Sequence, residues 1–410
     1  MSKLVRWINS YASWVLLAFA LVGVPLLQRG GFVSIETVNQ LGRFLCFAIV
    51  ALGIDLIWGY TGILSLCQAM FFCLGGYCIG MYMALHGPLD GDGIPRCLYV
   101  VSSDVSGFKL PWFWEPFRTL PVSLLLVLLV PGITAFIFGF FAFRSRVTGV
   151  YFSIITQATT LGLCQIFQLN DMRLCGTNGL TNFVTLAGYD VRTPETRLAL
   201  YLITVVVLVG VYLLCRHLVN SRLGRILIAI RDKESRLRFS GYRPLYFKLF
   251  VFTVAAMIAG IGGMLYAPQT GIITPFNMDF DKSIFLVVLV AVGGRASLSG
   301  AILGALVVNF ASSILTSGQI YNFLFTAKPA DEKGFVQKIA ELILGAGGWP
   351  FVLGALYIGV VLFFPDGLIG IWRRFVPATP PRSNAPSPRQ APVGAFALPS
   401  EMKEAPHVQH

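Results

Sequence analysis

Charge is what this chain has least of. Asp, Glu, Lys and Arg together make up 12% of it, about half the share of an ordinary soluble domain, while hydrophobic residues reach 56%. Val122–Phe143 and Leu198–Cys215 carry no charge at all. A helix crosses the roughly 30 Å hydrocarbon core with about 20 apolar residues, each rising about 1.5 Å. Several such helices in one soluble core are excluded by this composition, so the class is all-α, a polytopic transmembrane helical bundle. Other absences narrow the chemistry. No G-x-x-x-x-G-K-[ST] loop occurs, which excludes nucleotide hydrolysis by that route. No HExxH or GxSxG occurs either, and His86, His217, His407 and His410 all fall outside the apolar segments. Membrane haem ligation, a histidine proton relay and enzymatic activity are disfavoured. The eight cysteines have no metal-ligand spacing, so no metal site and no bound cofactor is expected. Six of them sit in or beside apolar segments as small hydrophobes. Only Cys97 and Cys175 fall in loops assigned to the outer side, and sequence fixes no distance between them. The net charge of +12 comes without an aromatic-interleaved basic groove, so no nucleic-acid partner is read from it.

The apolar segments read as Trp14–Leu27, Leu45–Gly59, Leu64–Leu85, Val122–Phe143, Val150–Leu169, Leu198–Cys215, Leu249–Ala267, the short Ser283–Gly294, Leu298–Leu315 and Trp349–Phe364. That is about 10 spans (8–10), with both termini cytoplasmic. Lys3 and Arg6 precede the first segment, but no Ala-x-Ala-like cleavage site follows, so it is expected to be an uncleaved helix. Ser283–Gly294 and Leu298–Leu315 read either as two tilted spans or as a re-entrant pair. Residues 216–248 hold nine basic residues against only Asp232 and Glu234, which places this loop in the cytoplasm. Within it, Leu223, Ile226, Leu227 and Ile230 share one helical face, with Arg225, Asp232 and Arg236 opposite. Asp232 to Arg236 and Glu234 to Arg238 are i,i+4 pairs. The residues alone fit a helix on anionic lipid and a helix that docks into an ATPase equally well. Residues 373–410 open on Arg373 and Arg374 and turn rich in Pro, Ser and Ala, the composition of a disordered cytoplasmic tail.

Polar residues within spans are costly and so informative. Asp55, Gln68, Gln157 and Asn309 are the candidates to line a path for a small hydrogen-bonding solute, with Gln165, Thr159 and Thr160 as milder cases. The plainer alternative is hydrogen bonding between helices. Small residues recur at steps of four: Gly76 and Gly80; Ala255, Ala259 and Gly263; Gly300 and Gly304. They place close helix contacts on one face.

Several blocks in order resemble the permease subunits of branched-chain amino-acid ABC importers. They are Ala51–Tyr77, Gly149–Ala158, Gly176–Phe183, Gly224–Phe252 and Ala259–Pro268, within a resemblance covering roughly residues 40–370. Within that family, Val290–Phe310, with Arg295 and Asn309–Phe310, looks most like the urea-importer branch. The chain departs from the family pattern at Asp55 and Cys67. The resemblance implies a permease domain over 1–372, in a bacterial inner membrane, moving urea or a short amide for nitrogen uptake. A branched-chain amino acid is the alternative solute, and an ATP-independent channel or ion-coupled transporter the alternative class. It further implies a second related permease, two ATPase subunits that carry ATP and Mg, a periplasmic solute-binding protein, and membrane lipid. On that resemblance Arg225, Arg231, Asp232, Glu234 and Arg238 meet the ATPase. Asn178 and Asn182, in the outer loop, face the binding protein.

Overall fold

The computed structural model describes residues 17–87, 95, 98, 110–145, 147, 149–316 and five isolated positions beyond (354, 355, 358, 359 and 367). Most of the segment Trp349–Phe364, the 373–410 tail, Arg146, Cys97 and nearly all of the 316–348 insert therefore lie outside the described residues.

The described chain is built from helices with only four two-residue strands. A short helix, α1 (Phe19–Arg29), is followed by six helices long and apolar enough to cross a membrane. These are α2 (Ile35–Gly59), α3 (Gln68–Leu85), α4 (Leu120–Arg144), α5 (Val150–Gln168), α6 (Pro194–Asn220) and, after the basic helix α7 (Arg222–Phe239), α8 (Pro244–Thr270). Then come α9 (Phe280–Gly293) and α10 (Leu298–Thr316), whose directions differ by 119° across a four-residue break.

The helix starts follow local chemistry. Ser34 caps α2 by accepting from Thr37 N, Thr193 caps α6 from Thr196 N with Pro194 at its first position, and Asp279 caps α9 from Phe280 N. Each side chain satisfies an amide that has no partner within its own helix.

Two sequence boundaries need correction. The second segment does not begin at Leu45: α2 starts ten residues earlier, at Ile35. Glu36, Asn39, Gln40 and Arg43 hide that start from any hydropathy reading, yet the helical hydrogen bonding runs through them. The third segment does not begin at Leu64. Gly62–Cys67 is non-helical and its backbone is held by α5, through Leu66 N to Thr156 Oγ1 (3.1 Å) and Ser153 Oγ to Leu64 O (2.9 Å).

At the centre α3 is almost wholly buried, packed on α8, which also contacts α4 and α2. Small residues set these distances. A Cβ on Gly263 would lie 1.7 Å from Phe72 O, and one on Gly75 would lie 2.1 Å from Gly260 O. Gly304 meets Leu289 O in the same way between α10 and α9. Pro131 inside α4 leaves Val127 O without its helical donor, and Gly260 packs against both. Of the four-residue steps of small residues, Gly76, Gly263 and Gly304 make close helix contacts, whereas Gly80 packs against Leu180, Phe183 and Ile273 at the strand end. The outer surfaces of α4, α5 and α6 expose Leu125, Ile133, Phe141, Ile154 and Val206, an apolar belt that suits lipid rather than water.

The two ends of the bundle differ. At one end β1 (Leu180–Thr181) pairs antiparallel with β4 (Ile272–Ile273), and β2 (Thr185–Leu186) pairs with β3 (Tyr189–Asp190). Ala187 and Gly188, both at positive φ, form the two-residue turn that such a hairpin requires. The buried Trp114 donates from Nε1 to Arg173 O, tying the 3₁₀ turn Trp112–Arg118 to this layer. The basic helix α7 lies at the other end.

Candidate functional site

Helix α7 is held to the bundle by three contacts. Its apolar face buries Leu227 and Ile230. Arg231 donates from Nη1 to Gly59 O (2.9 Å), one of the carbonyls that the C-terminus of α2 leaves without a helical donor. Glu234 accepts from Lys248 Nζ (2.7 Å), at the start of α8, and from Arg238 Nη2 (2.7 Å). Burial pushes the Glu234 carboxyl up, but these two cations more than offset it and hold it below the ordinary glutamate value. Asp232 pairs with Arg231 (3.4 Å) and not with Arg236. Lys233 has φ −156° and ψ 92°, and this kink destroys the i,i+4 geometry between them. Arg225, Arg231, Asp232 and Arg238 are exposed.

The α2 end gripped by Arg231 also holds the break between α9 and α10. Asp55–Gly59 is a π-turn, a local form frequent at functional positions. Asp55 is fully buried, and its Oδ1 accepts from Ala296 N (2.7 Å). Tyr60 donates to Ala296 O (3.3 Å), and the Arg295 guanidinium lies 4.8 Å from the centre of the Trp58 ring. A Cβ on Gly59 would lie 2.2 Å from Asp55 Oδ1 and 2.5 Å from Ala296 N. A continuous set of contacts thus runs from α7, through Gly59, to the 294–297 turn.

The four path candidates do not converge on one point. Asp55 sits at the α7 end. Gln68 and Gln157 are buried, two residues after Leu66 and one after Thr156, and no described group bonds either amide. Interhelical bonding therefore does not account for them. Asn309 bonds its own helix, Nδ2 to Ala305 O (2.7 Å), and lines a crevice toward the strand end. Of the milder cases, Thr159 and Thr160 bond their own helix and Gln165 is exposed. Asn178 and Asn182 are both exposed on the strand-end loop, which the β1–β4 pairing fixes to the end of α8. Sequence reasoning missed Gln269, which links α8 to α6 through Thr204 Oγ1 (2.8 Å), and Arg43, which lines the same crevice as Asn309. Both fell outside the apolar segments as drawn.

A lipid-facing helical bundle with a basic helix clamped across one end defines a multi-pass membrane protein. The chain belongs to the family described as branched-chain amino acid transport system, permease component, which matches residues 37–346. It is similar to the high-affinity branched-chain amino acid transport system permease protein LivM of Escherichia coli (strain K12), 25% identical over 325 residues, 74% of this chain and 68% of that one. The LivM of Salmonella typhimurium is likewise 25% identical, over 75% of this chain and 70% of its own length. The ribose import permease protein RbsC of Haemophilus influenzae is 20% identical, over 76% and 86%. No solved structure matches the chain. The chain is accordingly a permease subunit of an ABC importer in the branched-chain amino acid and sugar group.

Proposed function

We propose that this subunit carries a branched-chain amino acid into the cytoplasm across a bacterial inner membrane. It works beside a second, related permease, two ATPase subunits that bind ATP and Mg, and a periplasmic binding protein. The observation that carries the solute is the family match together with the LivM relatives, whose names specify branched-chain amino acids. The α7 end is the cytoplasmic one on this reading, because its excess of Lys and Arg belongs there.

The geometry supplies a mechanism. ATP-driven closure of the ATPases moves α7 through its exposed charges. Arg231 passes that movement to Gly59 and the π-turn, and Asp55, Trp58 and Tyr60 pass it to the 294–297 turn. The α9–α10 pair then moves against α2, alternately opening the two ends of the bundle. At the strand end, Asn178 and Asn182 receive the binding protein.

Urea is the second reading, resting on the block around Arg295. That block is accounted for by its own structural work, since Arg295 stacks on Trp58 inside the turn that Asp55 holds. Uptake of labelled leucine and labelled urea, by nitrogen-limited cells with and without the gene, separates the readings. Loss of leucine uptake alone is expected, and loss of urea uptake alone would reverse the assignment.

A further inference from the structure

Between α2, α8 and α10, toward the strand end, lies a crevice of about 380 Å³, within the size range of small-molecule sites. Its walls combine three chemistries: the cation of Arg43, the polar groups of Gln40, Asn309 and Ser312, and the aromatic faces of Phe47 and Tyr266. Phe47 and Tyr266 are packed ring to ring (5.3 Å) and both pack on Phe72, so the apolar wall is fixed by its neighbours. Gln40 is bonded to Ser313 and Asn39 donates to Gln269 O (3.0 Å), which ties α2 to α10 and to α8 around the opening.

Arg43 is the feature that needs explaining. It lies eight residues into α2, roughly 12 Å below the helix start, where an unpaired arginine is costly. Its Nε is buried without a hydrogen-bond partner, and among the described residues no carboxylate is in ion-pair range of it. A planar guanidinium held without an anion beside an aromatic wall is complementary to a carboxylate on an apolar body. Asn309 has committed its Nδ2 to Ala305 O, leaving its Oδ1 as acceptor for an ammonium group.

We infer that this crevice is a solute site on the entry side of the permease, in which Arg43 binds the carboxylate of a zwitterionic amino acid and Phe47 and Tyr266 pack its apolar side chain. The inference rests on the amino-acid reading above and deepens it. Neutral urea would leave the guanidinium unpaired.

The test uses the complex purified through a tag on this chain, with its partner subunits, and reconstituted into vesicles. Wild type is measured first: absence of ATP-driven leucine uptake there overturns the amino-acid reading itself. Given wild-type uptake, Arg43→Gln is expected to lower leucine import at least tenfold. ATP hydrolysis stimulated by the loaded binding protein should stay within twofold, and Arg43→Lys should recover part of the import. Import unchanged in Arg43→Gln overturns the site, as does a parallel fall of import and ATP hydrolysis in both variants. A second measurement keeps Arg43 intact. Thiol labelling of Ser312→Cys should be slowed by millimolar leucine and not by urea, and equal labelling rates in all three conditions overturn the proposal.

Discussion

Asp55, with Tyr60 and Trp58, holds the α9–α10 break in place. Asp55 accepts the Ala296 amide at 2.7 Å in a fully buried position. Asp55→Asn keeps an acceptor there and should fold and transport nearly as wild type. Asp55→Ala orphans a buried donor, so thermal unfolding of the purified complex should show about 1–3 kcal/mol of lost stability. Gln68 and Gln157 behave in the opposite sense. Among the described residues their buried amides have no partners, so Gln157→Leu should raise the unfolding temperature while lowering leucine uptake. A stabilised variant with full uptake would remove Gln157 from the path. These roles were only partly legible in the sequence. Hydropathy marks Asp55 as an expensive residue, but its partner is 241 positions away. Arg43 escaped notice because the residues around it made the start of α2 look like a loop.

At the scale of elements, apolar runs announced the long helices because lipid selects on composition alone, and positive charge announced α7. What composition could not announce is the kink at Lys233, which redirects Asp232 from Arg236 to Arg231, or the crevice, whose walls come from three helices distant in sequence. The α7–α8 clamp has a pH signature. Glu234 is held below its ordinary value, about 4.3. Its contribution is therefore present above that pH and lost as pH falls through the lower folded value. Stability of the complex should drop on acidification, and Glu234→Gln should remove this component and cost about 1–3 kcal/mol at neutral pH, because Lys248 is left buried without its anion. Melting curves across pH 3–7 for both proteins check this. Reversing Arg225 to Glu should weaken co-purification of the ATPase by tenfold or more and leave the bundle's own melting unchanged. Undisturbed co-purification would remove α7 from that interface.

For the whole molecule, the two ends differ in what they gather. The strand end gathers Asn178, Asn182 and the Arg43 crevice, and the other end gathers the basic helix and the latch at Asp55. The small-residue contacts make the centre rigid enough to link them: Gly263→Ala, whose Cβ would meet Phe72 O at 1.7 Å, should cost about 1–3 kcal/mol or more through overpacking, read as loss of assembled complex on size exclusion. The central claim is that this bundle moves a branched-chain amino acid at the expense of ATP. Its most direct test is uptake of labelled leucine by vesicles containing the purified complex, with loaded binding protein outside and ATP inside. Accumulation that requires ATP and is displaced by unlabelled isoleucine but not by urea is the predicted result. Uptake indifferent to ATP, or displaced by urea alone, would contradict the account.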